Sequence, residues 1–204
     1  TVKVKEKINS LRALMLGASI DYYYVPSADQ HQNEYVPDAW QRRQFISNFT
    51  GSAGDALIGM NEAYLWTDSR YFLQAEQELN PDIYRLMKQQ QGVPPVDAWL
   101  KSHAKGKTFA VDPKVITVSQ ANRLQAALSE VGAKFLPLEA NLVDQVWDDQ
   151  PLLSREPLRL YPEELAGKTS QEKIADLRLA MRAASSEVIV LSMLDEIAWL
   201  LNIR

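Results

Sequence analysis

The stretch of residues 47–75 (SNFTGSAGDALIGMNEAYLWTDSRYFLQA) limits how this chain folds more than any other part of the sequence. It begins with a turn of small residues at 51–54 (GSAG), where glycine permits both positive φ and a close approach of the backbone. Two apolar runs follow, at 56–58 and 63–66, and the turn-prone residues 59–62 separate them. Two short apolar runs joined by such a turn predict a β-hairpin.

The second strand of this hairpin leads directly into a predicted helix. Residues 67–69 (TDS) are all good N-cap types, and apolar residues recur at helical spacing from Phe72 to Leu79. Arg70 therefore lies in the first helical turn, where the helix dipole favours anions over cations. A role other than helix stability would explain an arginine there, and a solvated side chain is the alternative.

The rest of the first part of the chain alternates between apolar runs and helical stripes. This alternation predicts an α/β fold with a mixed β-sheet flanked by helices. Residues 27–38 are polar and lack periodicity, which predicts a long surface loop, and Pro137 predicts an edge position for the last strand. Further helices are predicted over residues 4–15, 95–100 and 118–131, and further strands over 20–25, 83–87, 108–111 and 134–138.

The sequence also predicts an internal repeat. The tripeptide at 6–8 (EKI) recurs at 172–174, and Arg12 recurs as Arg178, at a constant offset of 166 residues. Helical periodicity alone could align the apolar positions of two helices, but it would not align the charged ones. We therefore expect a duplicated domain whose second copy is incomplete.

Prolines mark the boundary between the two copies. They concentrate in residues 150–168, which read as a linker between a first domain at 1–149 and the start of a second at 169–204. In the second copy, a capping box at 169–172 (TSQE) begins a helix, and residues 188–191 (VIVL) predict a strand. The chain begins without methionine and stops in an apolar pattern, so we expect it to be part of a longer polypeptide.

Composition argues against several classes of function. The net charge is −4 without any run of Lys or Arg, which argues against nucleic acid as a partner. The chain has no cysteine, so disulfides and thiolate chemistry are excluded. Apolar runs stay well short of the roughly 18 residues of a membrane span, and the first residues lack the apolar core of a signal peptide. Neither nucleic acid nor a membrane is therefore an expected partner.

Few residues are suited to catalysis or metal binding. His31 and His103 lie far apart, and neither stands in an HxxxH or HxxE pattern, so no metal site is predicted. Ser52 lacks the G-x-S-x-G context of a nucleophile elbow. His103 reads as a solvated helix-end residue, whereas His31, in the polar loop, is a candidate for contact with a ligand. By its own residues the chain is predicted to be a non-catalytic α/β module.

One motif in the polar loop resembles a known family. Residues 24–35 (YVPSADQHQNEY) are similar to the PS-D-HQ-EY loop of Xaa-Pro aminopeptidases (aminopeptidase P) of the three-domain, eukaryote-like type. The resemblance extends over nearly the whole chain in the same order, although Ala28 and Ser69 stand where the family usually has glycine. Further matching motifs lie at 42–43 (RR), 45–47 (FIS), 51–54 (GSAG), 66–68 (WTD), 70–75 (RYFLQA), 111–113 (VDP), 141–144 (NLVD), 146–147 (VW), 175–178 (ADLR) and 194–204 (LDEIAWLLNIR).

This resemblance implies a creatinase/prolidase N-terminal-domain-like fold, followed by the start of a second similar domain. It also implies a C-terminal "pita-bread" metallopeptidase domain that binds a pair of metal ions, usually Mn²⁺, and removes an N-terminal residue preceding proline. The residues that bind those metals would belong to that further domain, so this chain is expected to hold no metal and to be inactive alone. The implied partners are a peptide with proline at its second position, the chain's own catalytic domain and a second copy in a homodimer, and the implied location is cytoplasmic.

The same resemblance assigns substrate binding to Arg70, which matches the family's peptide-binding arginine. A guanidinium at a strand-to-helix edge is suited to hold carbonyls or a carboxylate through paired hydrogen bonds. We further expect Asp68 to cap the helix and align Arg70, and His31 and Tyr35 to line the same edge. No catalytic residue is expected in this chain.

Two other functions are consistent with the sequence. A non-enzymatic creatinase-like module that binds protein partners would share this fold, and the presence or absence of the metal-binding residues in the rest of the protein would distinguish the two. A free-standing amino-acid sensor would need a closed apolar pocket, which the sequence does not indicate.

Overall fold

The computed structural model describes residues 3–204 of the chain. These fall into two units, the first ending at Leu152 and the second running from Leu153 to Arg204. The first unit contains a six-stranded β-sheet. Its strands are β1 (Tyr22–Val25), β2 (Asp55–Gly59), β3 (Ala63–Thr67), β4 (Tyr84–Lys88), β5 (Thr108–Val111) and β6 (Lys134–Pro137).

Helices connect most of the strands, and three helices lie in the second unit. Short 3₁₀ turns precede α2 and α3 and follow β5, at Asp38–Trp40, Ser69–Tyr71 and Pro113–Val115. The α-helices are α1 (Val4–Gly17), α2 (Arg42–Ser47), α3 (Phe72–Glu78), α4 (Val96–His103) and α5 (Val118–Glu130) in the first unit, and α6 (Glu163–Ala166), α7 (Ser170–Ala183) and α8 (Leu194–Leu201) in the second.

The sheet is mixed, with the spatial order β4-β3-β2-β1-β5-β6. Strand β2 runs antiparallel to both β1 and β3, whereas β3–β4, β1–β5 and β5–β6 pair in parallel. The carboxyl ends of β1, β3, β4, β5 and β6 therefore lie at one edge of the sheet, together with the amino end of β2. The predicted α/β fold with a mixed sheet and the predicted hairpin are both confirmed.

Strand β1 is buried on both faces, because helices cover both sides of the sheet. Tyr23 and Val25 pack into a cluster with Ile8 and Leu11 of α1. Tyr22 and Tyr24 point the other way, into a cluster with helices α4 and α5. Alternate residues along a strand face opposite sides, so the aromatic run at 22–24 supplies side chains to both cores.

Several elements differ from the sequence pattern, and α6 lies within residues 150–168, which the sequence predicts as a linker. Gly17 is the last residue of α1 rather than its cap, and the left-handed residue that ends this segment is Ser19, with φ of 56°. The helix predicted from residue 69 begins with a 3₁₀ turn before α3. The strand predicted at 188–191 is wrong: Val188 and Val190 are exposed, and this run pairs with no strand within residues 3–204. A β-branched run forms a strand only when a neighbour pairs with its backbone groups.

The second unit reproduces a local arrangement found in the first. In the first unit, the Lys7 ammonium donates to the Phe45 carbonyl oxygen at 2.9 Å and lies 4.2 Å from the centre of that ring. It also donates to the side chain of Asn48, a left-handed residue with φ of 61° at the end of α2.

The corresponding lysine of the second unit, 166 residues later, makes the same set of contacts. Lys173 donates to the Trp199 carbonyl oxygen at 2.8 Å and lies 4.5 Å from the centre of the indole ring. It also donates to Asn202, which is left-handed, with φ of 50°, at the end of α8.

In the turn at 51–54, the surroundings of Gly51 leave no room for a side chain. A Cβ added at Gly51 would overlap the Phe49 ring and would lie 2.8 Å from the Tyr71 ring. Gly51 is buried and does not have positive φ. The close approach of the backbone to aromatic rings, rather than an unusual backbone conformation, therefore explains the glycine.

We predict that Gly51→Ala lowers the free energy of unfolding by about 1–3 kcal/mol, as overpacking of a tight site does. Gly17→Ala is the matched control: a Cβ there meets nothing within 4 Å, and alanine favours the helix. Urea unfolding of both variants and the wild type gives the comparison. Equal stability of Gly51→Ala and wild type would contradict the tight packing of this turn.

Candidate functional site

A polar groove of about 390 Å³ lies at the carboxyl edge of the sheet. Three connections form it: the loop that follows β1, the turn that precedes β2 and the segment that follows β3. Their positions follow from the strand directions, because the ends of β1 and β3 and the start of β2 meet at this edge. Polar side chains contributed by these segments include Asn33, Glu34, Ser52, Asp55, Asp68 and Arg70.

Arg70 is held in a fixed orientation by Asp68. Its Nε and Nη2 atoms donate to Asp68 Oδ1 and Oδ2 at 2.9 and 2.8 Å. Asp68 is also the N-cap of the 3₁₀ turn, because its Oδ1 accepts the backbone N–H of Arg70 at 3.1 Å. One carboxylate therefore begins the turn and aligns the guanidinium, while the arginine side chain stays 67% exposed.

This pairing sets the electrostatics of the groove. The hydrogen bond from Arg70 holds the pKa of Asp68 below its ordinary value, and the same bond raises the pKa of Arg70. The guanidinium also lies 5.1 Å from the centre of the Tyr71 ring. With Glu34 and Asp55 included, the groove carries three carboxylates and one guanidinium. The Nη1 group of Arg70 has no partner among residues 3–204 and is the part of the cation available to a ligand.

The loop that carries His31 is organised by a buried carboxylate. Asp29, only 2% exposed, accepts the backbone N–H groups of His31 and Asn33 and the side-chain amide of Asn33, at 2.8, 3.1 and 2.8 Å. Asn33 faces the groove beside Arg70, whereas His31 is not one of the groove-lining residues. Tyr35 is 84% exposed. The structure thus brings Asp68 and Arg70 together and places His31 and Tyr35 outside the groove wall.

Arg43 forms hydrogen bonds to segments next to the groove. Sequence reasoning did not identify this residue as functional. This guanidinium is 2% exposed. Its Nη1 donates to the Phe49 carbonyl oxygen at 2.5 Å, its Nη2 donates to the carbonyl of Gly51 and, at 2.7 Å, to Ser27 Oγ. Burial lowers the pKa of Arg43 to about 10. A buried arginine does not produce a periodic sequence pattern. The only sequence feature that included Arg43 was therefore the match of residues 42–43 to a family motif.

Asp55 lies at the first position of β2 and faces the same edge. Burial raises the pKa of this carboxyl, and the nearby Tyr24 hydroxyl and Ser27 backbone N–H lower it. Arg43 is close enough to oppose that rise. Arg43, Ser27 and Asp55 therefore connect the ends of β1 and α2 to the start of β2.

Other chemistry considered from the sequence finds little support in the structure. The Ser52 hydroxyl lies 2.6 Å from the Tyr71 hydroxyl, so its hydrogen-bond partner is a phenol. Within residues 3–204, no three His, Cys, Asp or Glu side chains converge in a way that could hold a metal ion. Nor does that part of the chain contain a helix with the length and apolar character needed to cross a membrane.

Helices α1, α2 and α3 pack on one face of the sheet and α4 and α5 on the other. This arrangement and the groove at the carboxyl edge define a doubly wound α/β domain, a class in which ligands bind at that edge. The chain belongs to the creatinase/prolidase N-terminal domain family. A profile of that family matches residues 7–146, and a second profile of the same description matches residues 149–204.

Similar proteins carry this region as part of a longer chain. A protein named probable Xaa-Pro aminopeptidase P from Talaromyces marneffei is 45% identical over 206 residues, which covers 100% of this chain and 31% of that protein. A protein of the same name from Neosartorya fischeri is also 45% identical, over 32% of its length. The chain therefore spans about a third of the length of these relatives.

Solved structures give the same result. The X-prolyl aminopeptidase from Caenorhabditis elegans, described as a cytosolic enzyme with a di-nuclear active site, matches with a TM-score of 0.92 and 33% identity. The match covers 100% of this chain and 35% of that one. The N-terminal domain of peptidase PepQ from Mycobacterium tuberculosis, at 21% identity, 69% coverage of this chain and a TM-score of 0.51, shares the fold.

We predict that Arg70→Gln raises the pKa of Asp68 toward its ordinary value, because the hydrogen bond that stabilises the carboxylate is removed. Since the pKa of Asp68 is lower in the folded state, its contribution to stability is present at neutral pH and is lost as the pH falls below about 4. An NMR titration of the Asp68 carboxyl carbon in wild type and variant measures the shift. An identical pKa in both proteins would mean that the ion pair does not form in solution.

Proposed function

We propose that this chain is the N-terminal, non-catalytic region of a Xaa-Pro aminopeptidase, an enzyme that removes the N-terminal residue preceding proline. The proposal is supported by the 45% identity that extends over the entire chain to proteins of that name. Because the chain spans about a third of those relatives, the catalytic groups of the proposed enzyme belong to other residues of the whole protein.

The proposed role of the groove is to cap the active site and position the peptide substrate. The observation that carries this role is the guanidinium of Arg70, which Asp68 aligns while the arginine side chain stays exposed. A fixed guanidinium binds peptide carbonyls or a carboxylate in one orientation. Positioning of this kind lowers the entropic cost of reaching the reactive geometry without itself breaking a bond. In this proposal, His31 contacts the peptide beyond the groove wall.

The metal chemistry of the proposed enzyme lies outside this chain. The described residues lack the convergent carboxylates and histidines that a metal pair requires. We propose that residues of a C-terminal catalytic domain bind two Mn²⁺ ions, which activate the hydrolytic water. We also propose a homodimer and a cytoplasmic location, the latter supported by the description of the Caenorhabditis elegans enzyme as cytosolic.

We propose that the chain contains one complete domain at residues 1–149, a linker at 150–168 and the start of a related domain at 169–204. The support is the recurrence of one three-part contact, in which a lysine binds an aromatic residue and a left-handed asparagine, in both units. The helices that supply the two lysines, α1 and α7, are each 14 residues long.

We predict that Arg70→Ala in the full-length enzyme lowers kcat/KM for a Xaa-Pro peptide by about tenfold or more, because a charged hydrogen bond to substrate is lost. Arg155→Ala is the control, since this exposed arginine forms no hydrogen bond or ion pair within residues 3–204. Steady-state kinetics of the three proteins test the proposal. An unchanged kcat/KM in Arg70→Ala would remove Arg70 from the substrate site.

We predict that the 204-residue chain alone does not hydrolyse a Xaa-Pro peptide in the presence of Mn²⁺, whereas the full-length protein does. The reason is that the proposed metal ligands lie outside the chain. Release of the N-terminal amino acid, followed by chromatography, measures turnover. Hydrolysis by the chain alone would overturn the assignment as a non-catalytic region, and an inactive full-length protein would favour the interaction module instead.

A further inference from the structure

A second cavity, of about 180 Å³, opens between helices α4 and α5 at the same edge of the sheet. It shares two lining residues with the groove, Asp55 and Gln89. The cavity is lined by residues from β1, from the start of β2, from the position after β4, from the start of α4 and from the first two turns of α5. It is smaller than the roughly 300–1,000 Å³ of pockets for drug-sized ligands, so only a small molecule fits.

The position of this cavity follows from the topology of the sheet. The crossover helix α3 packs with the cluster on the α1 face of the sheet, whereas α5 packs with the opposite cluster. The winding of the chain therefore reverses between the β3–β4 and β5–β6 crossovers, and the cavity lies beside the end of β1, where the two halves meet. Crevices at such reversal points are the usual ligand sites of doubly wound sheets.

Charged groups of both signs line the cavity. Asp55 lies beside the Tyr24 hydroxyl and the Ser27 N–H, and Asp97 accepts the backbone N–H of Ala98 at 2.9 Å. On the other side, the guanidinium of Arg123 forms no hydrogen bond or ion pair within residues 3–204. The cavity thus contains two carboxylates and one arginine available for pairing.

Arg123 and Asp97 lie near the same buried phenol. Both are close enough to influence the pKa of the Tyr24 hydroxyl, which burial raises well above its ordinary value, with Arg123 lowering it and Asp97 raising it. Tyr24 is only 5% exposed and is one of the residues that line the cavity. Positive and negative groups therefore lie within reach of one small molecule.

The remaining wall of the cavity has a polar part, made by Gln89 and Gln120, and an apolar part. Pro95 and Val96 contribute the apolar part from the start of α4, and Leu124 contributes to it from α5. A ligand that filled this part would have an aliphatic portion, because no hydrogen-bonding side chain belongs to these residues.

We propose that this cavity binds a free aliphatic α-amino acid as a zwitterion, with the carboxylate on Arg123, the ammonium group on Asp55 and Asp97, and the side chain against Pro95, Val96 and Leu124. A simple anion would face two carboxylates, and a simple cation would leave the arginine without a partner. A molecule with both charges satisfies all three groups. This inference does not depend on the proposed function, since none of these residues belongs to the Arg70–Asp68 pair.

Isothermal titration calorimetry of the 204-residue chain tests the charge requirement. L-Leucine carries both charges, leucinamide lacks the carboxylate and 4-methylpentanoate lacks the ammonium group. L-Leucine is expected to bind, and each analogue is expected to bind at least about tenfold more weakly, since one charged contact is lost. Absence of L-leucine binding at millimolar concentration, or equal binding of the three compounds, would overturn the proposal.

Arg123→Gln tests the location of the site. It is expected to weaken L-leucine binding by about tenfold or more while leaving the melting temperature unchanged, because the wild-type side chain is exposed and its guanidinium has no hydrogen-bond or ion-pair partner in the described part of the chain. Arg178→Gln, which removes an exposed arginine from α7, is the matched control and should bind L-leucine like wild type. Undiminished binding in Arg123→Gln, or equal weakening in both variants, would refute the assignment of this cavity.

Discussion

The buried guanidinium of Arg43 is the interaction on which the carboxyl edge of the sheet depends. It joins three segments distant in sequence: the exit from β1 through Ser27, the turn after α2 through the carbonyls of Phe49 and Gly51, and the start of β2 through the charge of Asp55. A buried cation is stable only if its donors are satisfied and a compensating charge lies nearby. These partners therefore constrain one another, and the groove forms around them.

Both candidate sites follow from this constraint. With the turn at 51–54 held against the end of β1, Asp55 faces two cavities, one beside Arg70 and the other beside Arg123. The first holds an arginine already paired with its neighbour Asp68, so a ligand contacts a pre-aligned cation. The second holds an arginine that has no hydrogen-bond or ion-pair partner among residues 3–204, so a ligand carboxylate would complete the charge balance. The two arginines therefore differ in what they offer to a ligand.

Local sequence predicted much of the fold correctly. The apolar stripe of helix α1, the hairpin and the edge position of β6 were all predicted from short-range sequence patterns, and the structure contains all three. Asp68 as a cap was predictable because capping involves neighbouring residues only. The strand expected at 188–191 failed because pairing requires a partner that residues 3–204 do not provide, and Arg43 was missed because its partners lie up to 16 residues away in no regular pattern.

What the sequence determined by itself was most of the elements of the first unit, the family resemblance and the order Asp68–Arg70 that makes the cap and the ion pair adjacent. Only the tertiary structure decided which residues share a cavity. His31 and Arg70 both belong to matching motifs, yet the groove wall includes Arg70 and not His31. Conversely, Tyr24, Asp97 and Arg123 belong to separate elements and meet at one cavity. The physical reason is that local patterns depend on neighbouring residues, whereas a cavity depends on how the sheet brings distant strand ends to one edge.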